Sequence, residues 1–554
     1  MKKRLAASLC VALVIALLVL SATAEEPETR TVRIIATGDL HGKFVPWDYA
    51  LNAESASGSV AQLATAIAAY RTEDAILVDG GDTIQGNSAN IFVGDEDVHP
   101  MIQAINALNY DVWVTGNHEY NYGMGIVKKA IRDLKCKTLT GNVYDADGNP
   151  IADGYTILDL NGIRVAVIGM VTPNIARWDA TNLAGCAVTD PLEESRKIID
   201  GIRGQYDILV GVFHMGLEDE YDVPNSGVTD ILNACPEFDV MVSAHEHTLN
   251  SGTQINGVLV VQNRNQAQTM AVIDLTLARE GAGWRVVDRA AQSVRIADYE
   301  ADPAVLALLK DADQRAREDA MQVIGRLEGG PLAPETGADN IPAARIQDTA
   351  LADLINEAQL YYANAQVSAA ALPMPEANLY PGEIRKCDIA KLYRFSDTLY
   401  KLRMNGAQLK AFMEWCADFY NTFLPGDTVV TFNESFPPYD YCLFAGVRYE
   451  LNISREPGSR IEHLTWPDGT PVSDADVFDL VANSFVASAL LLTPEVIFGE
   501  DDLPTLVEKD VHGEIGGIRE LIRDYIATVK GGRITPECDE SWRLTGWEAL
   551  DEAA

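Results

Sequence analysis

Basic residues are scarce in this chain of 554 residues: 43 Lys and Arg stand against 81 Asp and Glu, leaving a formal net charge of −38. Such a balance excludes the basic footprint with which proteins grip a nucleic-acid polymer, although a small anion can still bind where a metal ion or a helix N-terminus overrides the global field. Cysteine is sparse too, eight in all and never as CxxC, which suggests neither a disulfide scaffold nor a cysteine zinc site and leaves a disulfide or two open; the cysteines read as structural. There is no low-complexity excess of Gly or Pro, no internal repeat, and beyond the N-terminus no apolar run of membrane-spanning length. What is present, 47% hydrophobic and 22% charged residues, is the composition of a folded protein. The length calls for two large domains or three smaller ones.

The N-terminus reads as an address. Lys2, Lys3 and Arg4 precede the apolar run Leu5 to Leu20, and Ala22-Thr23-Ala24 supplies small residues where a signal peptidase inspects the chain. The run falls short of the ~20 residues needed to cross a bilayer. The expectation is a signal peptide over residues 1–24, export to a periplasmic or extracellular compartment, and no stable membrane insertion after cleavage.

In the first half, short Val/Ile-rich runs alternate with helical periodicity. The runs are Val32 to Ala36, Ala75 to Val78, Asp111 to Thr115, Arg164 to Ile168, Ile208 to Phe213, Val240 to Ser243, Val258 to Val261 and Ala271 to Leu277. Helices are expected over Ser59 to Tyr70, Pro100 to Leu108, Gly125 to Leu134 and Pro191 to Ile202. The pattern reads as an α/β arrangement, one sheet covered by helices on its faces. A charged, Ala-rich helical stretch from Asp302 to Arg326 ends in Gly329-Gly330-Pro331 and reads as a linker. The expected organisation is a first domain over 30–300, a helical linker over 301–344 and a second, α+β domain over 345–550.

Chemistry collects where the strands end. TGDLHG places Asp39 and His41 past the first run, DGGDTIQGN places Asp82 past the second, and TGNHEYNYG places Asn117 and His118 past the third. His214 follows in VFHMG, and His245 and His247 in SAHEHT. In an open α/β sheet that edge is where ligands bind. A single turn histidine is usually a solvated or satisfied residue; five at equivalent strand exits are not. Imidazole, carboxylate and one amide oxygen suit Zn²⁺, Mn²⁺, Fe or Co²⁺ rather than Ca²⁺ or Mg²⁺. Seven ligands exceed one tetrahedral site and suffice for two ions sharing a carboxylate, an arrangement known for displacement at phosphorus.

DLHG, GGDTIQGN, GNHEYNYG, FHMG and HEH, in this order, resemble the exported 5′-nucleotidase and cyclic-nucleotide phosphodiesterase branch of the dimetal calcineurin-like phosphoesterases, over about residues 31 to 278. The resemblance implies an αββα-type sandwich. It also implies that Asp39, His41 and His247 bind one ion, that Asn117, His214 and His245 bind the other, and that Asp82 bridges them. His118 is then the catalytic histidine, oriented by the residue three positions on. Relatives acting at the 5′ position usually carry Asp there; here it is Asn121, which fixes the ring by a hydrogen bond without balancing an imidazolium, so His118 is expected to be less readily protonated. The usual GHxH begins here with Ala244.

Segments of the second half, LINEAQ at Leu354, KLYRFSDTLYKLRMNGAQLKAFMEW at Lys391, YDYCLFAGVRYELNIS at Tyr439 and ITPECDESWRL at Ile534, resemble the 2′,3′-cyclic-nucleotide 2′-phosphodiesterase/3′-nucleotidase subgroup. The resemblance implies a nucleotide-binding domain, with Tyr439, Phe485 and Phe395 as candidates to stack on a base, each contact worth ~1 to 3 kcal/mol. Arg385, Arg394 and Arg403 read as partners in surface ion pairs and stay outside the site. The implied activity is hydrolysis of 2′,3′-cyclic nucleotides and 3′-nucleotides to nucleoside and phosphate by hydroxide generated at the metal pair. The alternatives are a 5′-nucleotidase or nucleotide-sugar hydrolase with the same metal site, and a non-catalytic extracellular nucleotide-binding protein. The sequence leaves the metal's identity and the oligomeric state open.

Overall fold

The computed structural model describes residues 28–95, 97–220, 223–335, 337, 341–372, 376–393, 397–513 and 515–547. The expected signal peptide, Arg394 and Phe395 lie outside the described residues. The chain divides into two compact units, one built from residues up to Trp47 and Glu54–Ala316, the other from Asp48–Ala53 and from Arg317 onward.

The first unit holds two six-stranded sheets, as the family resemblance implies, where the periodicity by itself read one. The first sheet runs in the order Gly283–Arg295, Thr269–Glu280, Thr29–Thr37, Ala75–Asp79, Val112–Val114, Lys137–Leu139. The second runs Asn250–Ile255, Val258–Gln262, Val240–Ser243, Ile208–His214, Ile163–Val171, Tyr155–Leu160. Alternation along each strand says why they pack. Val32, Ile34, Ile76 and Val78 of the first sheet share a fully buried cluster with Val165, Val167, Val210 and Val212 of the second. The intervening Ala166, Ile168, Leu209 and Phe213 face the other way, onto Ile199, Ile202, Val228 and Ile231 of the helices Pro191–Ile202 and Val228–Ala234. Each such side chain stabilises the fold by about 1.5 to 3 kcal/mol relative to exposure. Strands buried on both faces read as continuous apolar runs in either sheet, so periodicity alone does not tell one sheet from two.

Four strands overlooked above are announced by turns or by flanking partners. Asn161-Gly162 and Asn256-Gly257 all have positive φ and close the hairpins Tyr155–Leu160/Ile163–Val171 and Asn250–Ile255/Val258–Gln262, the chemistry that a two-residue hairpin turn demands. Gly281, also at positive φ, sits in the turn between Thr269–Glu280 and Gly283–Arg295, and Lys137–Leu139 pairs in parallel with Val112–Val114.

The stretch expected as a helical linker is only partly helical. Helices Pro303–Leu308 and Lys310–Ala320 are followed by the strand Val323–Leu327, which pairs with Gly382–Arg385 and Arg533–Ile534 inside the second unit. The second unit therefore starts ahead of residue 345. Its main sheet runs Cys442–Ala445, Val367–Ala371, Val477–Asn483, Leu399–Asn405, Thr505–Glu508, and the helices Ala350–Ala363 and Gly406–Ala417 contribute Leu351, Ile355, Leu409 and Phe412 to its core. The seven cysteines among the described residues are free thiols.

Candidate metal centre and base-binding surface

Parallel pairing of Thr29–Thr37 with Ala75–Asp79 sets Thr37 beside Asp79, so the turns carrying Asp39 and Asp82 leave the first sheet at one edge. In the second sheet Phe213 pairs with Ser243, which sends His214 and Ala244-His245 off together. His214 Nδ1 donates to Gly80 O at 2.6 Å and ties the two edges to each other.

The seven residues expected as ligands come together there. Asp39, His41, Asp82 and His247 each bring a ligand atom within 4.8 Å of the others. His41 Nε2 faces His247 Nε2 at 3.0 Å and lies 3.7 Å from Asp82 Oδ2, while His247 Nε2 is 3.5 Å from Asp39 Oδ1. On the other side of the same carboxylate, His214 Nε2 lies 3.2 Å from Asp82 Oδ2 and 2.9 Å from Asn117 Oδ1, which also sits 2.9 Å from His245 Nδ1. Asp82 Oδ2 thus stands between two groups of three.

The outer nitrogens fix the chemistry of the inner ones. His41 Nδ1 donates to Gln85 Oε1 at 3.0 Å, His214 Nδ1 to the Gly80 carbonyl, and His245 Nε2 to the Glu220 carboxylate at 3.2 Å. In each neutral ring the remaining nitrogen carries a lone pair, and all three point inward at oxygens that also only accept. Acceptors facing acceptors at about 3 Å repel unless a proton or a cation lies among them. Tethering of the far N–H is the pattern by which proteins orient metal-binding imidazoles. The donor set therefore fits divalent transition ions.

Charge tells the same story. Burial alone would raise the Asp82 carboxyl, yet the imidazoles of His214, His118 and His41 hold it well below the usual carboxylate range. Burial likewise opposes ionisation of Asp39, and His247 and His214 bring it below its ordinary value. His214 is pushed up to about 10, with Asp82 and Asp39 outweighing its desolvation, whereas burial takes His41 down to about 4. The paired carboxylates demand positive charge in their midst.

Backbone strain accompanies the cluster. Asp39, His41, Asp82, His245 and His247 all have φ between 43° and 85°, the left-handed region that non-glycine residues rarely adopt, at a cost of order 1–3 kcal/mol each. Glu119, which the sequence reading passed over, holds one of these turns: fully buried, it accepts from the N–H groups of Asp82 and Gly116 at 2.9 and 2.7 Å, and of Thr83 and Ile84 at 2.8 and 3.2 Å. A Cβ on Gly116 would come within 2.2 Å of Asp82 Oδ1. Ala244, where relatives usually have glycine, is accommodated by two other glycines. Its methyl would lie 3.5 and 3.1 Å from a Cβ placed on Gly38 and Gly80.

His118 borders the cluster, its ring centroid 5.5 Å from that of His41 and its backbone N–H donating to Asp82 Oδ1 at 2.8 Å. His118 Nδ1 meets Asn121 Oδ1 at 2.7 Å. In the second unit, Tyr439 and Phe485 are 46% and 39% exposed, which removes them from the core, and their rings lie 5.7 Å apart at 74°. A base sandwiched between two rings needs about 7 Å and near-parallel faces, so in this edge-on arrangement one ring must turn before both can stack. Arg403 pairs with Asp479 and Arg385 with Glu383, as surface ion pairs.

Residues 32–249 match the calcineurin-like phosphoesterase family and residues 323–490 the 5′-nucleotidase C-terminal domain. The chain belongs to the metallophosphoesterases that join these two domains. Among curated proteins it is 27% identical, over 92% of its length, to the trifunctional nucleotide phosphoesterase protein YfkN of Bacillus subtilis, of which it spans 38%. It is 25% identical to the 2′,3′-cyclic-nucleotide 2′-phosphodiesterase/3′-nucleotidase of Yersinia enterocolitica, covering 97% of this chain and 91% of that one. The folds of the NAD nucleotidase (NadN) of Haemophilus influenzae and a 5′-nucleotidase precursor of Thermus thermophilus are similar, with TM-scores of 0.58 and 0.54 at 15% and 19% identity; they cover 94% and 93% of this chain and 99% of each of theirs. Among the described residues no helix is long and apolar enough to cross a membrane.

Proposed function

We propose that this chain is an exported hydrolase of 2′,3′-cyclic nucleotides and 3′-nucleotides, releasing nucleoside and phosphate. The observation that carries the reading is the convergence of inward-facing imidazole nitrogens, carboxylates and one amide oxygen around Asp82 Oδ2. Asp39, His41 and His247 would hold one divalent ion, Asn117, His214 and His245 a second, and Asp82 both. When bound, such a pair lowers the pKa of water towards 7 and offsets phosphoryl charge. Gln85, Glu220 and the Gly80 carbonyl keep the three imidazoles aimed inward, and Glu119 keeps the Asp82 turn in its strained conformation. His118 sits where it donates a hydrogen bond to the phosphoryl group or the leaving ribose oxygen, as those atoms gain charge. Tyr439 and Phe485 offer the second unit's apolar surface to the nucleobase. Asn121 in place of Asp, and relatives named for cyclic-nucleotide and 3′-nucleotide hydrolysis aligned over most of the chain, favour this regiochemistry over the 5′ reaction. The Lys-Lys-Arg start, apolar run and Ala22-Thr23-Ala24 support export.

The test is release of phosphate and nucleoside from 2′,3′-cyclic AMP, 3′-AMP, 5′-AMP and UDP-glucose by metal-loaded protein. Preference for the first two is expected; preference for 5′-AMP or UDP-glucose overturns the regiochemistry, and binding without turnover of any of the four overturns the enzyme.

A further inference from the structure

We infer that Asp179 is a positioning residue whose carboxylate sets the facing of the Asn121 amide and, through it, the ring nitrogen of His118 that carries the proton. The inference rests on the proposed role of His118.

An amide side chain has a donor end and an acceptor end of nearly equal shape, so Asn121 by itself leaves the proton on His118 undetermined. The surroundings remove that freedom. Asn121 Nδ2 lies 3.3 and 3.2 Å from the two oxygens of Asp179, which is 6% exposed and held by Asn182 Nδ2 donating to Asp179 Oδ1 at 3.1 Å. The same Asn182 amide donates to the Asn121 carbonyl at 2.9 Å, which fixes the backbone of the pair. The Asp179 oxygens accept from Asn182 Nδ2 and from Asn121 Nδ2, so the NH₂ end of Asn121 faces Asp179. The oxygen then faces His118, and at 2.7 Å it accepts only from a protonated Nδ1. Nε2 is left as the nitrogen that works on the substrate. Where relatives carry Asp at position 121, the carboxylate acts on the ring directly; here it stands one amide further out.

The test is an exchange of the two groups. Asp179→Asn offers Asn121 a partner with two ends, and Asn121→Asp sets two carboxylates against each other at hydrogen-bonding distance. Each single variant should lower kcat by about tenfold or more with KM for 3′-AMP little changed, since the wrong tautomer spoils the transition state more than binding. The double variant Asn121→Asp/Asp179→Asn restores one donor–acceptor chain, because the new carboxylate accepts from both the ring and the new amide. Its kcat should return to within about threefold of the parent. Melting temperature and metal content should be unaltered throughout. A second readout needs no turnover: with ¹⁵N-histidine label and zinc, His118, assigned by its loss in His118→Asn, should show a protonated Nδ1 in the parent and a mixture in Asp179→Asn. An exchange variant no better than the singles, an unaffected kcat in Asp179→Asn, or an Nε2–H tautomer in the parent overturns the assignment. If the parent protein hydrolyses no phosphoester, the functional reading fails by itself, and the nitrogen spectrum still decides whether Asp179 sets the tautomer.

Discussion

The two units solve opposite problems. The first gathers charge: five strand exits from two sheets bring acceptor atoms together so closely that only a proton or a metal ion reconciles them, and five of the seven residues concerned have left-handed backbone. The second builds a broad apolar core and leaves two aromatic rings, Tyr439 and Phe485, open to solvent beside the ends of its strands. Strain in the first is held by buried groups such as Glu119, whereas the aromatic pair is partly exposed. The proposed reaction chemistry thus belongs to a site held by many buried contacts, and the proposed base recognition to an exposed surface.

The largest effects should break the first unit alone. Replacing Asp82 with Ala removes the oxygen shared by both groups of ligands, and turnover of every phosphoester should fall to background while circular dichroism and melting of the second unit persist. Chelation should do the same, and elemental analysis should find two divalent ions per chain before it and none after. Next comes the contrast itself. Tyr439→Ala and Phe485→Ala should each raise KM for 3′-AMP by about 5- to 150-fold, the equivalent of ~1 to 3 kcal/mol of stacking, and leave hydrolysis of p-nitrophenyl phosphate unaltered. Equal losses on both substrates would refute the division of labour.

Smaller changes sharpen the picture of what supports the ligands. Gln85→Ala and Glu220→Ala release the outer nitrogens of His41 and His245 and should weaken metal binding by about 10- to 100-fold, measured by competition with a chelating dye. The smallest effect lies outside both sites. His99 caps the helix Pro100–Ala107, accepting from Met101 N–H through Nδ1 and donating to the Ala89 carbonyl through Nε2, and burial takes it down to about 4. Its unfolded value is near 6.5, so its contribution is fully present above that pH and is lost as pH falls towards 4. His99→Asn, which retains an oxygen to cap the helix, should flatten melting temperature against pH across that window.

The site was more legible in the sequence than the fold around it. Asp39, Asp82, Asn117, His214 and His245 each follow an apolar run directly, and local order along the chain carries that information. The number of sheets was legible only through the family resemblance and not from periodicity, because Val165 and Val210 read the same whether they face a helix or another sheet. Asn161-Gly162 and Asn256-Gly257 did announce hairpins, and the strands beside them were readable from those turns. Glu220 and Asp179 gave no signal at all, and Gln85 none beyond its place in GGDTIQGN: each is one polar residue among many, and only folding places it behind a histidine or its partner. Val323–Leu327 was misread as helical because a short strand at the end of a charged helix has too few residues to show its own period.

Sequence alone determined which kinds of atom leave which strands, since the identity of a side chain and its distance past an apolar run are local facts. Tertiary structure decided the rest: that Asp82 stands between both groups, that the outer imidazole nitrogens are occupied, and which end of Asn121 faces His118. Those outcomes depend on hydrogen bonds between residues far apart along the chain, such as His214 and Gly80 at 134 positions, and a hydrogen bond is fixed by distance and direction in space, not by order along the chain.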